Sequence, residues 1–198
     1  MAITADAGQS TGLHSATPAG AGQDPWQPRT IYVDSDMVLL AAHQGQRGIE
    51  LGMQADVVES IDRLGLVAHE IVILLYPQHD SSRRIPDASR LRVLRDGLGP
   101  DRDGLVVMAC PHDDGACDCA KPGSGLIELA MTVHDLPRQH GWFIGADQEG
   151  VFSARTAGLS TIRIGPLGTD HLSTVHRPDY EARDLLDAAN HILMRELA

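Results

Sequence analysis

All three cysteines of the chain fall within ten residues, in "CPHDDGACDC" from Cys110 to Cys119, with His112 between the first and the second. Cys110-x-His112, a four-residue insert and Cys117-x-Cys119 together offer three thiolates and one imidazole. Sulfur and nitrogen donors in that ratio suit a closed tetrahedral zinc site. Gly115 in the insert lets so short a loop fold back on itself. Four protein ligands leave no position open for water, so the expected zinc is structural, and reaction chemistry must come from other residues. Two other readings of the same residues stay open. The cysteines could pack unliganded as small hydrophobes, or Cys117 and Cys119 could form a redox pair.

The surrounding pattern says what must hold this loop. A short apolar strand is expected to open "TIYVDSDMVLL" and end near Val33, and the apolar runs "HEIVILLYP", "GLVVMAC", "GWFIGA" and "LSTIRIG" are expected to be strands too. Between them, "MQADVVESIDRLGLV", "DASRLRVLRDGL", "SGLIELAMTVHDL" and "GVFSARTAG" read as helices. The second of these places Leu91, Leu94 and Leu98 on one side. "HQGQRG" is expected in a loop, and "DYEARDLLDAANHILMREL" as an amphipathic C-terminal helix. Strands alternating with helices predict an α/β fold, an open parallel sheet with helices on both faces and no large cap domain. In such sheets ligands collect at the C-terminal strand ends. Four stretches should therefore converge: Asp34 to Asp36, Tyr76 to His79, Cys110 onward, and Gly145 to Gly150.

Composition narrows the partners. Of 198 residues, 16 are Lys or Arg and 27 are Asp or Glu, a net charge of −11 that repels nucleic acid and anionic membranes. A small anionic substrate in a locally basic pocket remains compatible. No run approaches the ~20 apolar residues of a membrane span. Residues 1–28 lack a basic start and an apolar segment, and read as a disordered tail ahead of a domain over 29–198. An odd number of cysteines without an export signal makes a disulfide framework a poor explanation, and the cytoplasm is the expected compartment.

With these motifs in place, "CPHDDGACDCAKP" resembles the zinc loop of haloacid dehalogenase (HAD) phosphatases in the subgroup of histidinol-phosphate and D,D-heptose bisphosphate phosphatases. "YVDSD", "VILLYPQ" and "FIGADQEGVFSARTAG" follow that family's other motifs in order, so the resemblance spans roughly residues 30 to 165. It implies phosphomonoester hydrolysis on a sugar phosphate or similar metabolite. Asp34 would be the nucleophile, Asp36 the acid/base, and Lys121 the clamp on the phosphoryl group. A backbone-capping Asp-Ser-Asp turn and a surface lysine are the plainer alternatives.

Several positions depart from the family pattern. Met37 and Val38 stand where it has Gly-Thr, Tyr76 (or Leu75) where it has a phosphate-binding hydroxyl, and Ala120 where it has arginine. Ala146 and Gly150 replace the aspartates that hold Mg²⁺. Asp147 is a substitute ligand beside Asp34 and Asp36, although strand alternation predicts that it points away from position 146. Glu149 is a second candidate. Tyr76 and His79 would line the pocket. The zinc ligands are all kept while the phosphate and magnesium positions are changed, which predicts weakened or lost phosphatase activity. A binding module with a protein partner, and an enzyme repurposed for metal-independent acid/base work, are the competing readings.

Overall fold

The computed structural model describes residues 29–43, 49–78, 85, 87–99, 102–112, 117–136, 141–165 and 177–198. Residues 1–28, His79 and the loop insert 113–116 lie outside them. In chain order the elements are β1 (Thr30–Asp34), a 3₁₀ turn (Ser35–Met37), β2 (Leu39–His43), β3 (Ile49–Met53), α1 (Val57–Leu64), β4 (Glu70–Leu75) and α2 (Asp87–Leu98). They continue with β5 (Leu105–Ala109), α3 (Gly125–Val133), β6 (Trp142–Gly145), α4 (Gln148–Thr156), β7 (Ser160–Ile164), β8 (Tyr180–Ala182) and α5 (Leu185–Glu196).

Six strands form one parallel sheet in the order β5-β4-β1-β6-β7-β8. Every residue of β1 and β6 is buried, as continuous apolar runs in a central parallel strand require. Alternation divides the core in two. Ile31, Val33, Ile71, Ile73 and Ile144 pack on one face with Ile61 and Leu64 of α1, Leu94 of α2 and Ile192 of α5. Tyr32, Val72, Leu74 and Phe143 pack on the other with Leu126, Ile127 and Ala130 of α3 and Ala154 of α4. Helices thus cover both faces, and the expected open α/β sheet is what forms. Among the described residues no helix is long and apolar enough to cross a membrane.

Three local expectations are corrected. Where the sequence predicts only a loop after β1, Leu39–His43 and Ile49–Met53 pair as the antiparallel strands β2 and β3, from Leu39↔Met53 to His43↔Ile49. Residues 44–48 of "HQGQRG" lie outside the described residues. Leu39 to Ala42 carry no polar alternation, so no period-2 signal marks that strand. The start of the C-terminal helix is instead the three-residue strand β8, and Asp184 begins α5 by accepting the Asp187 N–H at 2.7 Å. In α2 the buried side chains are Arg90, Leu94 and Leu98, whereas Leu91 is exposed. A polar residue has taken the place that hydrophobic spacing assigns to an apolar one.

Candidate functional site

At the C-terminal edge of β1 the chain turns sharply. Asp34 ends the strand and caps the 3₁₀ turn, its Oδ1 accepting the Asp36 N–H at 3.1 Å. Asp34 is buried and Asp36 exposed. Met37 and Val38 do not line an opening. Both enter the core beneath the turn. Gln54, just after β3, reaches back and donates to the Asp36 carbonyl at 2.5 Å.

Lys121 joins this turn to the neighbouring strand end. Its ammonium pairs with Asp34 Oδ2 and, at 2.6 Å, with Asp147 Oδ2, and it sits 4.5 Å from the centroid of the Tyr76 ring. The Lys121 side chain is 11% exposed and that of Asp34 only 2%. Burial pushes the Asp34 carboxyl up to about 6; Lys121 pulls it down and the Asp36 charge pushes it up. For Lys121, burial works against the charge, but the two carboxylates outweigh it and hold the ammonium above its ordinary value.

Asp147 faces the site because the chain has already left the sheet. β6 ends at Gly145, and Asp147 is the N-cap of α4, accepting the Gly150 N–H through Oδ1. Strand alternation does not govern a cap residue, so its second oxygen is free to turn toward Lys121. Gly150 is tied to this arrangement. A Cβ there would approach Asp147 Oδ1 to 3.1 Å and the Phe143 ring to 3.1 Å. Position 150 is therefore kept small by the acid that lies three residues earlier.

The floor of the site offers little to a phosphate. Tyr76 is 6% exposed, and its hydroxyl is buried without a hydrogen-bond partner among the described residues. Desolvation, helped by the Asp34 charge, raises this phenol well above its ordinary pKa. Pro77 follows and has no N–H to donate. Tyr76 also packs in the same apolar cluster as Cys119, so the site and the cysteine loop share a wall.

The cysteine loop begins at the end of β5. Cys110 Sγ lies 3.4 Å from Cys117 Sγ and 3.4 Å from His112 Nδ1, and Cys119 Sγ is 3.6 Å from that same nitrogen. One donor atom from each of the four residues falls within 4.8 Å of the others. Zinc–sulfur bonds of about 2.3 Å give tetrahedral edges of about 3.8 Å, so this donor set fits that ion. Burial and the adjacent thiols push Cys119 up to about 12, and burial raises Cys110 too. At Cys117 burial is outweighed by hydrogen bonds with Cys110 and Cys119, which hold it below its ordinary value, so ionising Cys110 and Cys119 carries a penalty. A divalent cation reverses that penalty. The loop closes tightly: Gly125 N–H donates to the Asp118 carbonyl at 2.9 Å, and a Cβ on Gly125 would come within 2.7 Å of that oxygen. Ser153 of α4 donates to the Gly123 carbonyl at 2.7 Å, holding the loop against the helix that Asp147 caps.

Asp34, Asp36, Lys121, Asp147 and Tyr76 are thus brought to one sheet edge, with Cys110, His112, Cys117 and Cys119 beside them. Glu149 is exposed on the first turn of α4. Sequence spacing misses Arg90 and Gln54, which grip the Asp34–Asp36 turn. Arg90 sits on a helix face that otherwise reads as apolar, and Gln54 acts through a backbone carbonyl, so neither leaves a motif.

Solved structures share this architecture. A D,D-heptose 1,7-bisphosphate phosphatase from B. bronchiseptica, complexed with magnesium and phosphate, superposes with a TM-score of 0.58 at 17% identity, over 84% of this chain and 99% of that one. The fold is that of the HAD phosphatases. A HAD phosphatase from Thermococcus onnurineus gives 0.52 at 18% identity, covering 72% of this chain and 59% of its own. An uncharacterized protein from Listeria monocytogenes serotype 4b gives 0.64 at 15% identity, with 87% and 100% covered. Among curated proteins, the histidine biosynthesis bifunctional protein HisB of Buchnera aphidicola is 23% identical over 150 residues. That match takes in 69% of this chain but only 41% of the relative, so the chain spans about two fifths of that protein's length. No protein-family model matches the chain.

Proposed function

We propose that residues 29–198 form a HAD-like phosphohydrolase domain with a structural zinc loop and weakened hydrolytic power toward a small phosphorylated metabolite. One observation carries the reading: Lys121 is held jointly by Asp34 and Asp147 at adjacent strand ends. A bare pair of acids would repel, whereas here a buried ammonium makes their proximity favourable.

In this reading Asp34 attacks phosphorus and the bond to the leaving oxygen breaks, giving an aspartyl-phosphate. Asp36, exposed at the mouth, gives its proton to the leaving alkoxide and then takes one from the water that cleaves the acyl phosphate. Lys121 neutralises part of the phosphoryl charge. Asp34, Asp36 and Asp147 are the residues that would hold Mg²⁺, which when bound supplies further neutralisation of the phosphate. Weakness follows from the floor. Lys121 and Tyr76 cover the nucleophile, Pro77 donates nothing, and Tyr76 puts a ring where a small hydroxyl would serve. Cys110, His112, Cys117 and Cys119 would hold the zinc and shape the pocket wall. A cytoplasmic setting, without nucleic-acid or membrane partners, is part of the same proposal.

The test is Mg²⁺-dependent phosphate release across a sugar-phosphate panel, comparing the wild type with Asp34→Asn and Asp147→Asn. Slow turnover that both substitutions abolish supports the proposal. The buried Asp34 and the altered floor favour a second reading, a HAD-fold binding module. Absence of turnover in a zinc-loaded wild type, with a ligand or protein partner retained in pull-down, would favour that reading.

A further inference from the structure

Arg90 is the most buried charged side chain among the described residues outside the acid cluster, at 3% exposure on a helix with no assigned role in the site. A buried guanidinium is costly unless its donors are used. Here they reach three elements. Nη2 donates to Ser35 Oγ at 2.7 Å, while Nη1 donates to the Tyr76 carbonyl at 3.1 Å and to Asp87 Oδ1 at 3.0 Å. Ser35, itself fully buried, is the residue between Asp34 and Asp36. Tyr76 is the first residue beyond β4 and carries the ring beneath Lys121.

We infer that Arg90 is a positioning residue for the Asp34–Asp36 turn, fixing the aim of both carboxylates through Ser35 and the height of the Tyr76 floor through its carbonyl. It touches no carboxylate of the site and acts only through these two neighbours. A planar fork with several donors can fix two acceptors on different strand ends at once, which a lysine cannot reproduce. The Asp36 N–H, bonded to Asp34 Oδ1, reports directly on whether the turn holds. The inference rests on the phosphohydrolase reading for its functional meaning, but its geometry can be tested without turnover.

The experiment measures amide hydrogen exchange at Asp36 in zinc-loaded full-length protein, for wild type, Arg90→Met, Arg90→Lys, Ser35→Ala and Leu94→Ala. Leu94→Ala, on the same buried face of α2, serves as a control for ordinary destabilisation. Arg90→Met and Ser35→Ala should each speed exchange at Asp36 at least tenfold, beyond what Leu94→Ala causes at equal loss of Tm. The double variant should add nothing further, and Arg90→Lys should recover only part. If turnover is measurable, kcat should fall about tenfold in Arg90→Met with KM within twofold. Unchanged Asp36 exchange in Ser35→Ala and in whichever Arg90 variant folds would overturn the inference while leaving the phosphohydrolase reading intact. Accelerated exchange in a protein without phosphatase activity would uphold the positioning role and sink that reading instead.

Discussion

The cysteine loop and the acid cluster lie side by side at one edge of the sheet, yet they are built differently. The loop takes all four donors from one ten-residue stretch, and two tight glycines press it onto its own backbone. The acid cluster draws Asp34 from β1, Lys121 from beyond the loop and Asp147 from the start of α4. A local site keeps its geometry as long as its own sequence is kept. A distributed site depends on every strand end that feeds it, so substitutions in several loops can reshape it while each piece stays folded.

The strongest way to break this comparison is to remove the metal. Protein purified without chelator should hold about one zinc per chain by elemental analysis. Cys119→Ser, or a strong chelator, should cost roughly 5 kcal/mol or more of stability in thermal melts. Zinc-free protein of undiminished Tm would end the structural-zinc reading.

Next in size is Lys121→Met, which leaves the buried Asp34 without its counter-charge. We expect a loss of about 3 kcal/mol at pH 8 and no turnover. The sign of the pH dependence follows from Asp34. Its folded value already lies above the unfolded one and rises further without Lys121. An acid so shifted destabilises the fold once pH passes the unfolded value, and most fully above the folded one. The deficit of the variant should therefore shrink steadily from pH 8 to about pH 4 in denaturant titrations. A deficit that does not change with pH would mean that Lys121 acts through packing alone.

Asp147→Asn separates two roles of one residue. Asparagine caps a helix about as well as aspartate, so stability should change by less than about 0.5 kcal/mol. Phosphate release should nevertheless fall more than tenfold. Equal turnover would reduce Asp147 to a cap.

The smallest effect is expected far from both regions. Asp179 accepts from Thr161 N–H at 2.8 Å and Thr161 Oγ1 at 2.9 Å, and pairs with Arg155, joining β7 to the approach of β8. Burial raises its pKa, but these donors outweigh it and hold the carboxylate below its usual range. Its contribution is thus present at neutral pH and lost as pH falls through the lowered folded value. Being half-exposed, Asp179→Asn should cost no more than about 1 kcal/mol at pH 7, and nothing in acid below that value.

How much was legible follows the same division. The parallel sheet could be read from continuous apolar runs, because such strands are buried on both faces whatever their neighbours. The cysteine loop was legible because its ligands share one short segment. The inward turn of Asp147 was not. It depends on where β6 ends and on which residue caps α4, and strand alternation cannot resolve such a boundary to one position. Arg90 escaped because burial of a guanidinium is decided by partners distant in sequence, here Ser35 and Tyr76. The β2–β3 hairpin escaped because "LLAAH" lacks alternation, and β8 because three residues leave no period to detect.

The strand that feeds the cysteine loop, β5, is the outermost of its sheet on that side, and all five of its residues are only partly covered. A terminal strand is held laterally by one row of hydrogen bonds instead of two, so it is the first place where a sheet can peel. Coordinating Cys110, one residue past its end, to ligands packed against α3 would anchor that strand from its tip. On this view the ion serves as a fastener for the margin of the sheet, doing by coordination what a further strand would do by pairing.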